Sequence, residues 1–316
     1  MTQRYSGKFI KRLKKIGIRH FDELIHEQPR DWLIENFRER KRKYPLNVTM
    51  LMRNIVWQMR ERIISKQKPP LNELIRTFWY MYIKSTLSRA GSLSDKPNNQ
   101  YKALVKVIRD MVMKSKLMKY RDIGFRDANQ ANRRVGKNAH IILFSEKLGH
   151  QEFLSEMAEK FKCSIIALGS QPSVCNVEYF VDDMKSKGVN LRKTFHIYGV
   201  TDFDPHGWII RDTFIKDLKF YGIKNIKLMD MITPDMLTRD EIKISRFRLL
   251  QKSGRQWQLV NKWLKQARKK KYKNMRFLVE EDKKGHYYCG LESESVSAKR
   301  LSKKLAVEIL PLIRKK

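Results

Sequence analysis

Acid is what this chain has least of relative to its counter-charge. Its 316 residues carry 33 Asp and Glu against 68 Lys and Arg, a formal net charge of +35. Self-repulsion on that scale destabilises a compact state unless a polyanion or counterions offset it. Nucleic acid is therefore the first candidate partner, because Lys and Arg that neutralise phosphates release condensed counterions. An anionic membrane surface ranks second, but the chain lacks a long apolar run and a strongly apolar amphipathic anchor. A basic structural protein of the ribosomal kind is equally compatible with charge alone. The three cysteines, Cys163, Cys175 and Cys289, lack metal-ligand spacing. Their odd number and scatter favour reduced thiols and an intracellular, cytoplasmic setting. The seven histidines are unclustered, which argues against zinc. The N-terminal stretch "MTQRYSGKFIKRLKK" has no apolar core of signal-peptide length, so secretion is not expected. Internal repeats and long low-complexity tracts are absent too. What is present is apolar material for real cores, 41% of residues, so the charge does not signal disorder.

Two composition shifts divide the chain. "ISKQKPPLNE" (64–73) carries a Pro-Pro breaker, and "RDANQANRRVGKNAH" (126–140) is polar without periodicity. After them a rhythm begins. Strands are expected at 139–146, 163–169, 194–202 and 225–231, and helices at 150–161, 173–188 and 207–222. Apolar runs alternating with helical periods mark a parallel sheet flanked by helices, whose polar chemistry gathers at the carboxyl ends of its strands.

Glu146 falls at that edge of the first strand, and "TDFDPHG" (201–207) at that edge of the third. In an extended Asp202-Phe203-Asp204 the alternate carboxylates face the same way. Three converging carboxylates repel one another and raise the pKa of at least one. A hard divalent cation removes that conflict, and Mg²⁺ suits carboxylates combined with waters and a substrate phosphate. The competing reading is that Asp202 and Asp204 cap the next helix, Asp being a favoured N-cap. Gly207 is placed to start that helix beside a phosphate.

A strand ending in Glu, a helix, a second strand and D-x-D-P-x-G after a third strand resemble a Toprim domain. More narrowly, the chain resembles the A subunit of topoisomerase VI and the meiotic double-strand-break transesterases. "FSEKLGHQEFL" (144–154), "ALGSQPSVCNVEYFVDDM" (167–184), "TDFDPHGWII", "MITPDML" and "LTRDEI" are similar to that family's segments in their order. "GLESESVSAKRLSKKLAVEIL" (290–310) resembles its C-terminal helix. The likeness runs from about residue 139 to the end and is closest in size to the compact Mini-A branch. It implies a mostly α winged-helix domain before an α/β Toprim domain with a parallel four-stranded sheet. The expected division is a basic helical arm over 1–65, a winged-helix-like domain over 66–135, and Toprim with a C-terminal helical extension over 136–316.

In that family a winged-helix tyrosine cuts DNA. "IRTFWYMY" (75–82) fits its motif with Arg76, Phe78, Trp79 and Tyr80, departing at Thr77 where the family has an acid. "YKALVKVIRDMVMKSKLMKYRDIGF" (101–125) resembles the rest of the domain. Its "RDIGF" copies the motif but ends in Phe125, which has no hydroxyl. On a helix, Tyr80 and Tyr82 point about 200° apart, so only one can face DNA. The bland alternative for Tyr80 is a core aromatic. A phenol with a free pKa near 10 needs help as a nucleophile, and Arg76 would favour the phenolate and hold the scissile phosphate. The resemblance implies Mg²⁺, with Mn²⁺ able to substitute, on Glu146, Asp202 and Asp204. It also implies a 5′-phosphotyrosyl link to double-stranded DNA and a homodimer whose active sites are shared between protomers. No ATP site is visible, so ATP-driven strand passage would need a separate B-type ATPase subunit.

Lys147 and His206 are expected near the acidic set, touching DNA or solvent. "IKRLKKIGIRHFDELI" (10–25) has the look of a helix-hairpin-helix unit, with Gly17 in the turn and Lys14 and Lys15 before it as DNA contacts. The second glycine of that motif is missing, and an ordinary helical hairpin is the alternative. "RERKRKYP" (38–45) and "KQARKKKYKN" (265–274) are charge runs, usually solvated faces, that in so basic a chain are expected along the DNA path. Trp257 and Trp263 are expected as core anchors. Two other functions compete: a hydrolytic Toprim nuclease without a tyrosine nucleophile, and a non-catalytic basic DNA-binding protein. Against decay stands the intact acidic set, since drift has no reason to spare three costly carboxylates in a basic chain.

Overall fold

The computed structural model of the chain describes residues 5–39, 45–127, 129–169, 174–249, 254–282 and 285–314. It divides into two compact units, Met1–Ala128 and Asn129–Lys316. Residues 170–173, within the family-like segment 167–184, and most of the basic run at 38–45 lie outside the described residues.

The first unit is mostly helical: α1 (Gly7–Lys15), α2 (Arg30–Phe37), α3 (Val48–Ile64), α4 (Ile75–Phe78), α5 (Ser85–Arg89) and α6 (Pro97–Met113). Between α4 and α5 runs a π-helical turn, Trp79–Lys84. Among its described residues, strand pairing is confined to two isolated bridges, Arg38 with Leu46 and Glu73 with Phe125. The arm expected over 1–65 does not stand apart, because α3 packs against α6 and the π turn. Leu51, Ile55, Phe78, Trp79, Leu104 and Ile108 are buried in that unit.

The helix-hairpin-helix expectation is not met. α1 closes at Ile16, and the amides of Gly17 and Ile18 donate to the Lys14 and Leu13 carbonyls. Gly17 adopts a positive φ of 76°, the left-handed conformation that glycine takes at helix ends. Its N–H is thus committed to the cap and not offered to a phosphate. The following segment is not a helix either, apart from a single 3-10 turn at Ile25–Glu27. Two buried amides of α3 explain why. Asn54 accepts from the Arg19 N–H and donates to the Gly17 carbonyl, while Gln58 accepts from the Ile25 N–H and donates to the Phe21 and Glu23 carbonyls. These side chains supply the backbone partners that a helix would otherwise provide internally. Lys14 and Lys15 remain exposed.

The second unit is mixed α/β. In chain order it contains β1 (Arg133–Arg134), β2 (Asn138–Ser145), α7 (Gln151–Phe161), β3 (Cys163–Ala167), α8 (Val174–Ser186), β4 (Phe195–Val200), α9 (Pro205–Phe220), β5 (Ile226–Asp230) and α10 (Arg239–Ser245). It continues through β6 (Arg246–Arg248), α11 (Arg255–Lys269), β7 (Val279–Asp282), β8 (Gly285–Leu291) and α12 (Ala298–Arg314). The main sheet runs β1-β3-β2-β4-β5. Its four parallel strands are the expected ones, but β1 adds a two-residue antiparallel edge, so the sheet has five strands. A second sheet, β6-β8-β7, was not foreseen. Nor does the C-terminal helix fill 290–310, because β8 runs to Leu291 and α12 begins only at Ala298.

Each β2 face is covered. Ile142 and Phe144 pack with Phe180 and Val181 of α8 and Phe214 of α9. Ile141 and Leu143 pack with Leu154 of α7, Trp263 of α11 and Leu305 of α12. Covering on both sides is why the strands read as continuous apolar runs. Trp263 is a core anchor and Trp257 packs half-buried beside it. The chain steps from β2 outward to β3 and then back across β2 to β4. The strand order therefore reverses between β2 and β4, the point at which open α/β sheets form a crevice outside the carboxyl ends of their strands.

Candidate functional site

Glu146 follows β2 and Asp202 follows β4, so the crevice at that reversal is flanked by carboxylates from two adjacent strands. The Glu146 N–H donates to the Val200 carbonyl at 3.1 Å, continuing the β2–β4 ladder by one residue. Glu146 Oε2 accepts the Asp202 N–H at 3.5 Å. The loop after β4 stays extended, with Asp204 at φ −149° and ψ 175°. Phe203 accordingly points inward and is fully buried, edge-on to Trp208, Trp263 and Tyr272. Its backbone pairs with Leu291 of β8 in both directions, at 2.8 and 3.2 Å. The small second sheet thus braces the acidic loop from below.

Asp204 is a cap in this structure. Its Oδ1 accepts the Gly207 N–H at 2.6 Å, and α9 begins at Pro205, two residues before the expected start. The Gly207 N–H is therefore used by Asp204. A Cβ on Gly207 would stand 2.2 Å from the Asp202 carbonyl oxygen. Glycine is needed there for close backbone approach, and the end of β4 lies against the first turn of α9 because of it. His206 is exposed beside this turn.

Three further residues belong to the cluster that sequence reading missed: Ser293, Glu294 and His150. The Ser293 N–H donates to Asp202 Oδ1 at 2.7 Å, from a position 91 residues away. His150 Nε2 stands 3.0 Å from Ser293 Oγ, which donates to Glu294 Oε2 at 3.1 Å. Lys147 Nζ reaches Asp202 Oδ1 at 3.2 Å and Glu294 Oε2 at 2.6 Å. One sequence signal pointed there: "LESES" sets two glutamates close together in an acid-poor chain.

The electrostatics follow from this packing. Burial, then repulsion from Asp202 and Asp204, pushes the Glu146 carboxyl up to about 7. Burial also raises Asp204 above the usual carboxylate range, against the opposing Gly207 N–H and with help from Asp202. Desolvation opposes the charge on Lys147, but the Glu294 and Asp202 carboxylates outweigh it and raise its pKa. Burial lowers His150 and keeps the imidazole neutral at physiological pH. Among the described residues, no group of three or more His, Cys, Asp or Glu side chains is closed around a position for a metal ion. Asp202 Oδ1 is taken by Lys147 and Ser293, and Asp204 Oδ1 by the cap. The donor chemistry is nonetheless that of a hard cation, oxygen only, with carboxylates that oppose one another's charge.

Arg76 and Tyr80 belong to the first unit. Trp79 and Tyr82 on the π turn are buried, whereas Tyr80 is 46% exposed. Arg76 Nη2 donates to the Tyr80 hydroxyl at 3.3 Å and to Asn98 Oδ1 at the same distance. Its guanidinium lies 4.6 Å from the Tyr101 ring centre, and Lys84 Nζ lies 5.0 Å from that of Tyr80. Tyr82 is held inward by Phe78 and edge-on by His26, with Lys68 Nζ 3.4 Å from its hydroxyl. Phe125 is wholly buried against Phe78. A scan against protein-family models gives no match for this chain, and a search of curated proteins gives none either.

Proposed function

We propose that the chain is a DNA-cleaving transesterase resembling the topoisomerase VI A subunit, with winged-helix and Toprim domains. It would make double-strand breaks through a 5′-phosphotyrosyl intermediate on Tyr80. The observation that carries this reading is the exposed Tyr80 hydroxyl against the Arg76 guanidinium, on a turn whose neighbouring aromatics are buried. A nucleophile must be reachable, and it must be next to a group that can hold a phosphate.

In the reaction, the Tyr80 oxygen forms a bond to phosphorus and the bond from phosphorus to the 3′-oxygen breaks. The phenolic proton is lost to solvent, and the departing 3′-oxygen takes one up. Arg76 orients the phenol and pairs with the phosphate. Asn98 and Tyr101 hold Arg76 in place from α6. Glu146, Asp202 and Asp204 are the residues that would hold Mg²⁺ or Mn²⁺, which supplies charge stabilisation to the scissile phosphate when bound. Ser293 fixes the Asp202 carboxylate through its amide, and Lys147 balances that charge. The partners of this reading are double-stranded DNA and a second copy of the chain; ATP-driven strand passage would in addition require a separate B-type ATPase subunit.

The test is denaturant trapping on plasmid DNA with Mg²⁺ or Mn²⁺. Wild type should yield protein-linked ends that protease converts to linear fragments. Tyr80→Phe keeps the ring and removes the attacking oxygen, so it should bind DNA and leave it intact. Tyr82→Phe should still cut. Continued cutting by Tyr80→Phe with free ends would overturn the transesterase reading in favour of a hydrolytic Toprim nuclease.

A further inference from the structure

Between Glu241 and Glu280 the chain has no acidic residue and thirteen lysines and arginines. All of α11 lies in that span and separates the two kinds of side chain. Val260, Trp263, Leu264 and Ala267 are buried on one side. Lys262, Lys265 and Lys269 are exposed on the other, and Lys270, also exposed, is the cap residue that follows the helix. Positions 262, 265 and 269 follow the i, i+3, i+7 spacing of a single helix face, and 270 adjoins it. Among the described residues none of these four is ion-paired. Nearby cations are paired: Arg248 meets Glu280 at 2.7 Å, and Lys243 lies 3.8 Å from Asp240. The helix dipole accounts for cations in the last turn, but not for Lys262 and Lys265 in the middle.

We infer that the outer face of α11 is a phosphate-binding surface for duplex DNA, separate from the residues that would cut it. The inference rests on the proposed reading only for the identity of its partner, and it holds even if the chain cuts nothing. From residue 262 to 270 the helix rises about 12 Å. A duplex presents about seven phosphate charges over that length. Three unpaired ammonium groups along one stripe, with a fourth just past its end, repel one another, and a parallel row of phosphates relieves that repulsion. Lysine is suited to such contacts as a mobile point charge that reads no base, so this surface should bind without regard to sequence.

The experiment is duplex DNA binding by the full chain in EDTA, where cleavage does not enter. One variant replaces Lys262, Lys265, Lys269 and Lys270 with Gln, which keeps helix propensity. A second replaces Lys193, Lys216, Lys219 and Lys224, four exposed lysines outside α11, and removes the same charge. The α11 variant should flatten the slope of log K against log salt by about 3 to 4 and weaken binding more than tenfold at about 0.1 M salt. The second variant should leave the slope unchanged. Equal effects from the two variants would overturn the inference, since general charge would then suffice. So would an α11 variant that keeps DNA binding but loses binding to vesicles of anionic phospholipid. Tyr80→Phe in the same assay should bind like wild type, which keeps this outcome apart from the fate of the cleavage reading.

Discussion

Tyr80 stands with nearly half its surface in water and one guanidinium at its hydroxyl. Asp202 and Asp204 are instead tied from several sides: by a backbone amide from β8's C-terminal flank, by a lysine and by the first turn of α9. The first site is one side chain on an open turn, and the second is a convergence of four chain segments. The contrast follows from what each would have to do. A nucleophile must be reached by a bulky phosphodiester, so burial would defeat it. Carboxylates gathered in one crevice repel one another, so only packing and hydrogen bonds elsewhere keep them together. Substitutions of the packing groups that brace the acidic edge should therefore cost stability, and a substitution at the tyrosine almost none.

The largest difference is expected at Phe203. Phe203→Ala removes a fully buried ring from a cluster of four aromatics and should cost about 3–5 kcal/mol. Tyr80→Phe should change stability by less than about 0.5 kcal/mol. Urea unfolding of both variants measures this, and similar losses would erase the contrast. Gly207→Ala comes next. Its Cβ would meet the Asp202 carbonyl at 2.2 Å, and separating α9 from the end of β4 should cost about 1–3 kcal/mol. A neutral result in the same titration would mean the crevice is looser than its backbone contacts indicate.

Asp204→Asn separates capping from metal binding, because Asn caps as well as Asp but carries no charge. In EDTA its melting temperature should match wild type within about 2 °C. With saturating Mg²⁺ or Mn²⁺, wild type should rise by a few degrees and Asp204→Asn should not. No rise in wild type would remove the metal from the proposal. The smallest effect concerns pH. The Glu146 carboxyl sits at about 7 in the folded chain against an ordinary 4.5. The folded state therefore holds a proton that the unfolded state has released. Its contribution to stability is full below about pH 4.5 and is lost as pH rises through 7. After allowance for solvent screening this is about 1 kcal/mol. In EDTA, Glu146→Gln should gain about that much on wild type between pH 5 and pH 8, as read by chemical denaturation. A pH-independent difference would show that Glu146 does not carry this strain.

By itself the sequence determined the rhythm of the second unit. The four parallel strands and the helices between them were legible because apolar runs and helical periods are local patterns, readable within a dozen residues. The placement of Glu146 and Asp202 at strand ends followed from the same pattern, and the acid-poor composition made those carboxylates stand out. Tertiary structure alone decided the rest. Residues 18–24 are not helical because Asn54 and Gln58, more than thirty positions away, take their backbone groups. β1, β6 and β7 are only two to four residues long, and β8 takes its place only by pairing with β6 and β7 in the second sheet. That Tyr82 is buried while Tyr80 is exposed was decided by His26, Phe78 and Lys68 closing around the second ring, on a π turn that no local spacing announces. Asp202 is held by Ser293 across 91 residues of chain. Periodicity records which face of an element is buried, but only packing determines which distant group arrives to satisfy a buried polar atom, and that satisfaction sets the geometry of both candidate sites.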